Sequence, residues 1–362
     1  MKEMISSKQI ISLILLFVFG TSVVIGVGFD AHQDSWMSLL IATIFSVPLL
    51  LMYARLLMLY PGKGLFDIIE MLFGKKAGKV LIAIMIWYYL FLGGLVLQNF
   101  FQFISVTTLP KTPKVLIMAL MMLVVIYLGR SNISVLGKWG IVISITIVIV
   151  VVLTFIFSIG NIDINHLLPI FEHSPKTILK GAVKMYVFPY AELITILPLA
   201  SFFKKGTNSY KIFMYGLLLS SIMLITIQMR NLLTIGFPLM EYSFFSSYTA
   251  ARIIEVGDFF SRIEGVITIN LLFAVITKTA ICLIAATKGM SKLFNIKNYK
   301  DIIVPVGLII LMLSIIVYQS IFEMEEFKDK YVVIYSIPFQ FIIPFIIWIT
   351  AEIKKKSIKV TN

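Results

Sequence analysis

A single cysteine, Cys282, stands in a chain of 362 residues. A disulfide within the chain is therefore excluded, and so is a metal cluster built on thiolates. Cys282 lies inside an apolar run and reads as a small core residue. Histidine is scarce too. His32, His166 and His173 are all there are. They fall in predicted loops with no partner at metal-ligand spacing, so surface histidines and no metal centre are expected. Charged residues make up only 14% of the chain against 59% hydrophobic. No strand-framed G-x-S-x-G or G-x-G-x-x-G is present, and GKKAGK (74–79) lacks the four-residue gap of a phosphate-binding loop. The absence of any catalytic constellation argues against an enzyme and against a cofactor.

What is abundant is long apolar sequence. Ten runs can be marked, at roughly 8–29, 36–60, 80–106, 115–130, 138–160, 182–203, 211–236, 263–288, 302–321 and 332–351. At 1.5 Å per residue such runs cross a hydrocarbon layer about 30 Å thick. Lys2 and Lys8 precede the first run, but it is long for a signal peptide and no A-x-A-like site follows, so an uncleaved helix is expected. The chain reads as a single transmembrane domain, all-α, with about ten helices.

The net charge of +13 suggests nucleic acid at first sight, and its distribution decides otherwise. With the N-terminus placed inside, nineteen basic residues fall on the inner side, nine on the outer, and Arg55, Arg230 and Lys278 within spans. This bias predicts a multi-pass protein with both termini cytoplasmic. No basic segment carries interleaved aromatics, so nucleic-acid binding is not expected. Arg55 and Arg230 lie nearer span ends and are expected to snorkel. The inner stretch YPGKGLFDIIEMLFGKKAGK (60–79) predicts a turn, a short amphipathic helix and a glycine-bounded turn. Two outer loops are long, 161–181 and 237–262. Within the second, 249–260 has helical periodicity with Ile253, Ile254 and Phe260 on one face.

Two spans carry irregularities. The sixth reads VKMYVFPYAELITILPLA (183–200). Pro189 removes a backbone N–H, and in lipid the freed groups need partners. Glu192 costs about 2.5–3.5 kcal/mol near the bilayer centre, which its apolar neighbours outweigh, so the span inserts and the carboxylate must face protein or water. The first span contains Gly20, Gly26 and Gly28, with Thr21 and Ser22 beside the first glycine. Each glycine weakens a helix by about 1 kcal/mol relative to alanine. Spans 1 and 6 open the two five-span halves. Interruption at matching places predicts a 5+5 inverted repeat, 8–160 and 182–351, with a site between the broken helices at the midplane. Gly20, Thr21, Ser22 and Gly26 would offer N–H groups and hydroxyls. Tyr186, Phe188, Pro189 and Tyr190 would form walls, and Glu192 would supply charge.

Lys278 sits roughly ten or more residues from either end of the eighth span, too far to snorkel. Three roles are open. It can be a fixed cation where a transporter of this architecture holds sodium, with Thr277 and Thr279 nearby. It can pair with Glu192. It can be bonded to carbonyls for packing alone.

Several stretches together resemble one family. FGTSVVIG (19–26), HQDSWMSLL (32–40), the inner loop at 60–79, FPYAELITILPLA (188–200) and ARIIEVGDFFSRIEGV (251–266) followed by Lys278 are similar to segments of the spore germination permeases. These are the B subunits of nutrient germinant receptors, within the amino acid/polyamine/organocation transporter superfamily. Ser22 replaces a glycine usual in the first helix, and the proline expected before the Asp-x-Trp segment is absent. The resemblance implies a LeuT-like fold and a place in the spore inner membrane. It also implies partnership with an A subunit and a lipoprotein C subunit, and recognition of a small nutrient such as an amino acid or sugar, with ion release following. An ordinary secondary amino acid transporter is the alternative.

Overall fold

The structure is a computed structural model and describes residues 3–23, 26, 28–253 and 263–360. Its helices are α1 (Ser7–Ser22), α2 (Ser35–Leu59), α3 (Leu65–Thr107), α4 (Lys114–Arg130), α5 (Ile133–Ser158), α6 (Pro175–Met185), α7 (Ser209–Tyr242), α8 (Ser246–Arg252), α9 (Ile263–Phe294) and α10 (Ile303–Ile316). A last helical stretch, Ile321–Lys355, is interrupted by two π-type turns. Among the described residues eight segments are long and apolar enough to cross a bilayer. The 16-residue α1 and the 17-residue α4 pack among them, which gives the expected all-helical bundle. Among the described residues the one extended pairing is a bridge between Ile5 and Phe203.

Burial sorts the helices. The sixth span, Pro175–Phe202, is 83% buried over its apolar window, whereas the last segment is 22% buried. α1 is also almost wholly enclosed. It can sit there because small residues face it: a Cβ on Gly140 would come 2.8 Å from Leu13, and one on Gly216 would come 2.6 Å from Ile14. Close backbone approach at such residues holds membrane helices together where lipid supplies no hydrophobic drive between them. Ser6 and Gln9 form a capping box that starts α1.

Element boundaries differ from the apolar runs in instructive ways. The amphipathic helix of the 60–79 loop is present, and after a break at Gly74 (φ 72°) the chain continues directly into the third span. The sixth span starts at Pro175, capped by Ser174, earlier than hydropathy suggested, because its first turns are amphipathic. α7 breaks at Gly236 (φ 68°) and then resumes to Tyr242. The short outer helix is Ser246–Arg252; Ile254 and Phe260 of the periodic stretch lie outside the described residues.

Contacts gather alternate loops at opposite ends. At one end Glu3 pairs with Lys300 at 2.5 Å, Ile5 bonds Phe202 and Lys204, and Lys354 Nζ donates to the carbonyl of Leu72. Arg55 pairs with Glu352 at 2.6 Å at this end, half-exposed. At the other end Lys184 bridges Asp30 and Asp329, each at 3.1 Å. Asp34 is fully buried there and accepts from the backbone N–H of Phe171 and His173 and contacts His173 Nδ1. All three histidines, expected at the surface, have partners: His173 meets Asp34, His166 Nδ1 lies 2.9 Å from the carbonyl oxygen of Leu233, and His32 stacks on Phe237 with centroids 4.4 Å apart.

Candidate functional site

The first span stops as an α-helix at Ser22, whose Oγ donates back to the carbonyl of Val18 at 2.5 Å. Gly20 allows this end to lie against α9: a Cβ there would be 3.3 Å from the carbonyl oxygen of Ala274. Gly28 holds φ +74°, and a Cβ on it would come 2.7 Å from the carbonyl of Gly181 in α6. The left-handed conformation and the close backbone approach both require glycine. Gly26 is crowded by Phe29, whose ring would lie 2.1 Å from an added Cβ.

The sixth span breaks across Tyr186–Tyr190. Phe188 leaves the helix with φ −129° and ψ 111°, its peptide bond to Pro189 is cis, and a tighter 3-10 helix carries the chain from Ala191 to Phe202. Proline denies the ladder a donor at the place where the helix opens. Glu192 lies one turn beyond.

Lys278, fully buried, places Nζ 2.6 Å from Glu192 Oε2 and donates to Thr21 Oγ1 at 2.9 Å. The rings of Phe17 and Phe188 flank the ammonium, their centroids 4.7 and 5.1 Å away. Three spans, the first, sixth and eighth, therefore meet at one ion pair. Taking two charges out of water is expensive, and only close geometry with further hydrogen bonds offsets it; Thr21 and the two ring faces provide that here. Of the three roles open for Lys278, the geometry shows the pairing with Glu192. Thr277 and Thr279 lie elsewhere. Thr277 accepts from Trp139 Nε1 at 3.0 Å and donates to the Phe273 carbonyl, while Thr279 donates to the Val275 carbonyl. Neighbours on a helix point about 100° apart, so adjacency to Lys278 in sequence does not bring them to the pair.

Tyr190 is buried and its hydroxyl meets Ser221 Oγ at 2.8 Å and Thr43 Oγ1 at 3.1 Å, joining the sixth span to α7 and α2. Tyr190→Phe is expected to lower stability by about 1 kcal/mol, because Thr43 and Ser221 still bond each other at 3.2 Å. A thermal unfolding series comparing Tyr190→Phe, Ser221→Ala and the double variant checks this through the non-additivity expected of a shared network. Tyr186 is half-buried and packs on Phe341.

Two cavities adjoin the breaks. The first is lined by Ser22, Gly26, Met185, Phe188 and Pro189 from the broken spans and by Gln228, Asn231 and Ser247 from α7 and α8. The second is lined by Phe188 and Glu192, with Asn99 and Lys328 among its other walls. Phe188 is common to both. A polar vestibule at the Lys184 end shares Gly26 with the first cavity and Lys328 with the second. Of the residues named from sequence, Ser22, Gly26, Phe188 and Pro189 line the first cavity. Glu192 lines the second, Gly20 and Thr21 pack toward Lys278, and Tyr190 ties helices together.

Gln228 and Asn231 were not identified from sequence. Their signal was QMRN (228–231) inside an apolar span. Arg230, expected to snorkel, is instead buried: its guanidinium donates to Asn231 Oδ1 at 2.6 Å and to the carbonyl of Ser247 at 3.3 Å. The physical reason is that α8 folds back over this part of α7 and removes the route to the surface.

Solved structures share this fold. The fold matches Mhp1, a nucleobase-cation-symport-1 family transporter in a closed conformation with bromovinylhydantoin bound. The TM-score is 0.70 at 10% identity, over 95% of this chain and 78% of that one. It also matches MhsT in complex with L-phenylalanine, with a TM-score of 0.64 at 13% identity, over 97% of this chain and all of the other. The protein is therefore a membrane protein of the five-plus-five inverted-repeat transporter fold, with spans 1 and 6 interrupted. Within that class it belongs to the spore germination protein family, whose model matches residues 4–324. Spore germination protein KB of Bacillus subtilis (strain 168) is 25% identical over 360 residues, covering 98% of this chain and 96% of that protein. Spore germination protein GerQB of Bacillus cereus is 24% identical over 287 residues, covering 78% of this chain and 77% of that one.

Proposed function

We propose that this chain is the B subunit of a nutrient germinant receptor. It binds a small nutrient, an amino acid or sugar, in the cavity between the broken spans. The observation that carries the reading is Phe188: one side chain walls the cavity at the breaks, the neighbouring cavity of Glu192, and the ammonium of Lys278. A ligand that presses on Phe188 changes the cover of the ion pair. Binding energy then shifts the chain between two states, and a bias from 1:99 to 99:1 needs about 5.5 kcal/mol of differential binding. Ser22, Gln228 and Asn231 offer the polar contacts and Lys278 acts as the fixed cation of the site. Family membership supports a spore inner-membrane location, action with A and C subunits, and ion release after binding. The lysine-rich end supports placing both termini in the cytoplasm, with repeats spanning 8–160 and 182–351.

Direct binding of a panel of L-amino acids and sugars to the purified chain tests the site. Gln228→Leu and Asn231→Leu are expected to weaken the bound nutrient about tenfold each, the usual size of a lost buried polar contact. Unchanged affinity in both would place the site elsewhere. A second reading, a secondary amino acid transporter, is favoured by the transporter neighbours in fold. Steady accumulation of an amino acid in proteoliposomes by this chain alone would select it; dependence on partner subunits would select the receptor.

A further inference from the structure

We infer that the cavity at the lysine-rich end of the bundle binds a phosphate oxyanion, presented by the headgroup of an anionic phospholipid. The cavity lies between the start of α3, the end of the sixth span and the last turns of α9. Lys288, Lys292, Lys297, Ser291 and Tyr299 line it, as does Asp67. Its lysines are not equivalent. Lys292 is neutralised by Asp67 at 3.0 Å and Glu70 at 2.6 Å. Lys288 has no ion pair among the described residues. Its Nζ meets the hydroxyl of Ser201 and the face of Phe202, 3.9 Å from the ring centroid.

A second, independent observation points the same way. The hydroxyls of Ser291 and Tyr299 are buried with no hydrogen-bond partner, and Ser291 is 8% exposed. Two unmet hydroxyls and an ammonium without a counter-charge around one cavity form a set of donors suited to an anion. Asp67 accepts from Lys292 and from the N–H of Gly64 at 3.2 Å, not from Lys288 or either hydroxyl. An anion with several oxygens satisfies all three donors, and lysine suits phosphate as a point charge. The setting favours a lipid source. The cavity opens where α9 ends, beside the rings of Phe202 and Tyr299 (centroids 5.8 Å apart) and the exposed Phe294. Aromatic side chains at span ends mark headgroup depth, and basic pockets between transmembrane helices hold anionic headgroups.

The test titrates the purified full chain in mixed micelles with phosphatidylglycerol, with phosphatidylcholine as the zwitterionic control. Inorganic phosphate is the free-anion arm, and retained ligand is read by native mass spectrometry. Phosphatidylglycerol is expected to bind about tenfold tighter than phosphatidylcholine, and Lys288→Gln to remove about tenfold in affinity. Tyr299→Phe, which keeps the ring and its packing, is expected to weaken binding in the same direction and serves if Lys288→Gln does not fold. Lipid binding that depends on Lys288 assigns a headgroup. Inorganic phosphate binding with the same dependence, and no lipid preference, assigns free phosphate to the same oxyanion site. Affinities identical in wild type, Lys288→Gln and Tyr299→Phe overturn the proposal.

Discussion

Lys278→Met is expected to destabilise the chain by about 3–5 kcal/mol, because removing one partner strands a buried charge. Glu192 would lose the cation that Lys278 places 2.6 Å away, its place taken by an apolar side chain between Phe17 and Phe188. Glu192→Gln is expected to be comparably damaging, since the buried ammonium would lose its counter-charge and keep only neutral partners, the new amide oxygen, Thr21 and the two ring faces. The informative result is the double variant. Removing both charges removes both desolvation penalties, and replacing a buried pair by apolar or neutral groups is often close to neutral. Lys278→Met with Glu192→Gln should therefore recover most of the loss, a coupling measured by thermal unfolding in detergent. A double variant as unstable as the sum of its singles would show that the two residues do not act as a pair. If the pair also reports ligand binding, the recovered double variant should fold yet lose its response to nutrient.

Gly181→Leu should have the next largest effect. A Cβ at Gly181 would lie 2.7 Å from the carbonyl oxygen of Gly28 and 2.8 Å from Ser38 Oγ. One obstacle is backbone, which cannot rotate away, and the other already donates to the Ile178 carbonyl at 2.8 Å. Overpacking of this kind costs about 1–3 kcal/mol or more, and the broken ends of the first and sixth spans must part to relieve it. Gly28→Ala meets the same contact from the opposite side and adds the strain of a positive φ. Both variants are expected to lower thermal stability and abolish nutrient binding. Gly160→Ala, with nothing within 4 Å of the added Cβ, should do neither. Tight nutrient binding by Gly181→Leu would show that the two breaks need not touch for the site to form.

The gross architecture was legible because lipid imposes a simple rule. Backbone groups must be satisfied within each span, so every crossing is a long apolar helix and shows in the sequence. Violations of that rule were legible for the same reason. Gly20, Gly26 and Gly28 in one span and Pro189 with Glu192 in another stand out against uniform surroundings, and both spans are broken there. The start of the sixth span was less visible, because its first turns mix Lys176, Lys180 and Lys184 with apolar residues.

What one chain position says about a distant one was not legible. Periodicity places Lys278 on a helix but cannot say whether Glu192, a sodium-like site or a carbonyl receives its charge. That depends on the distance between helices 86 residues apart in sequence. The same holds for Phe188 as a shared wall, for Arg230 sealed by α8, and for Asp34 gathering the loop around His173. Apolar length and helix-breaking residues are local properties, so the sequence by itself determined the spans, the breaks and the placing of Glu192 and Lys278 deep within spans. Partner choice arises from the packing of spans against one another, a non-local balance of desolvation and contact, and only the tertiary structure decided it.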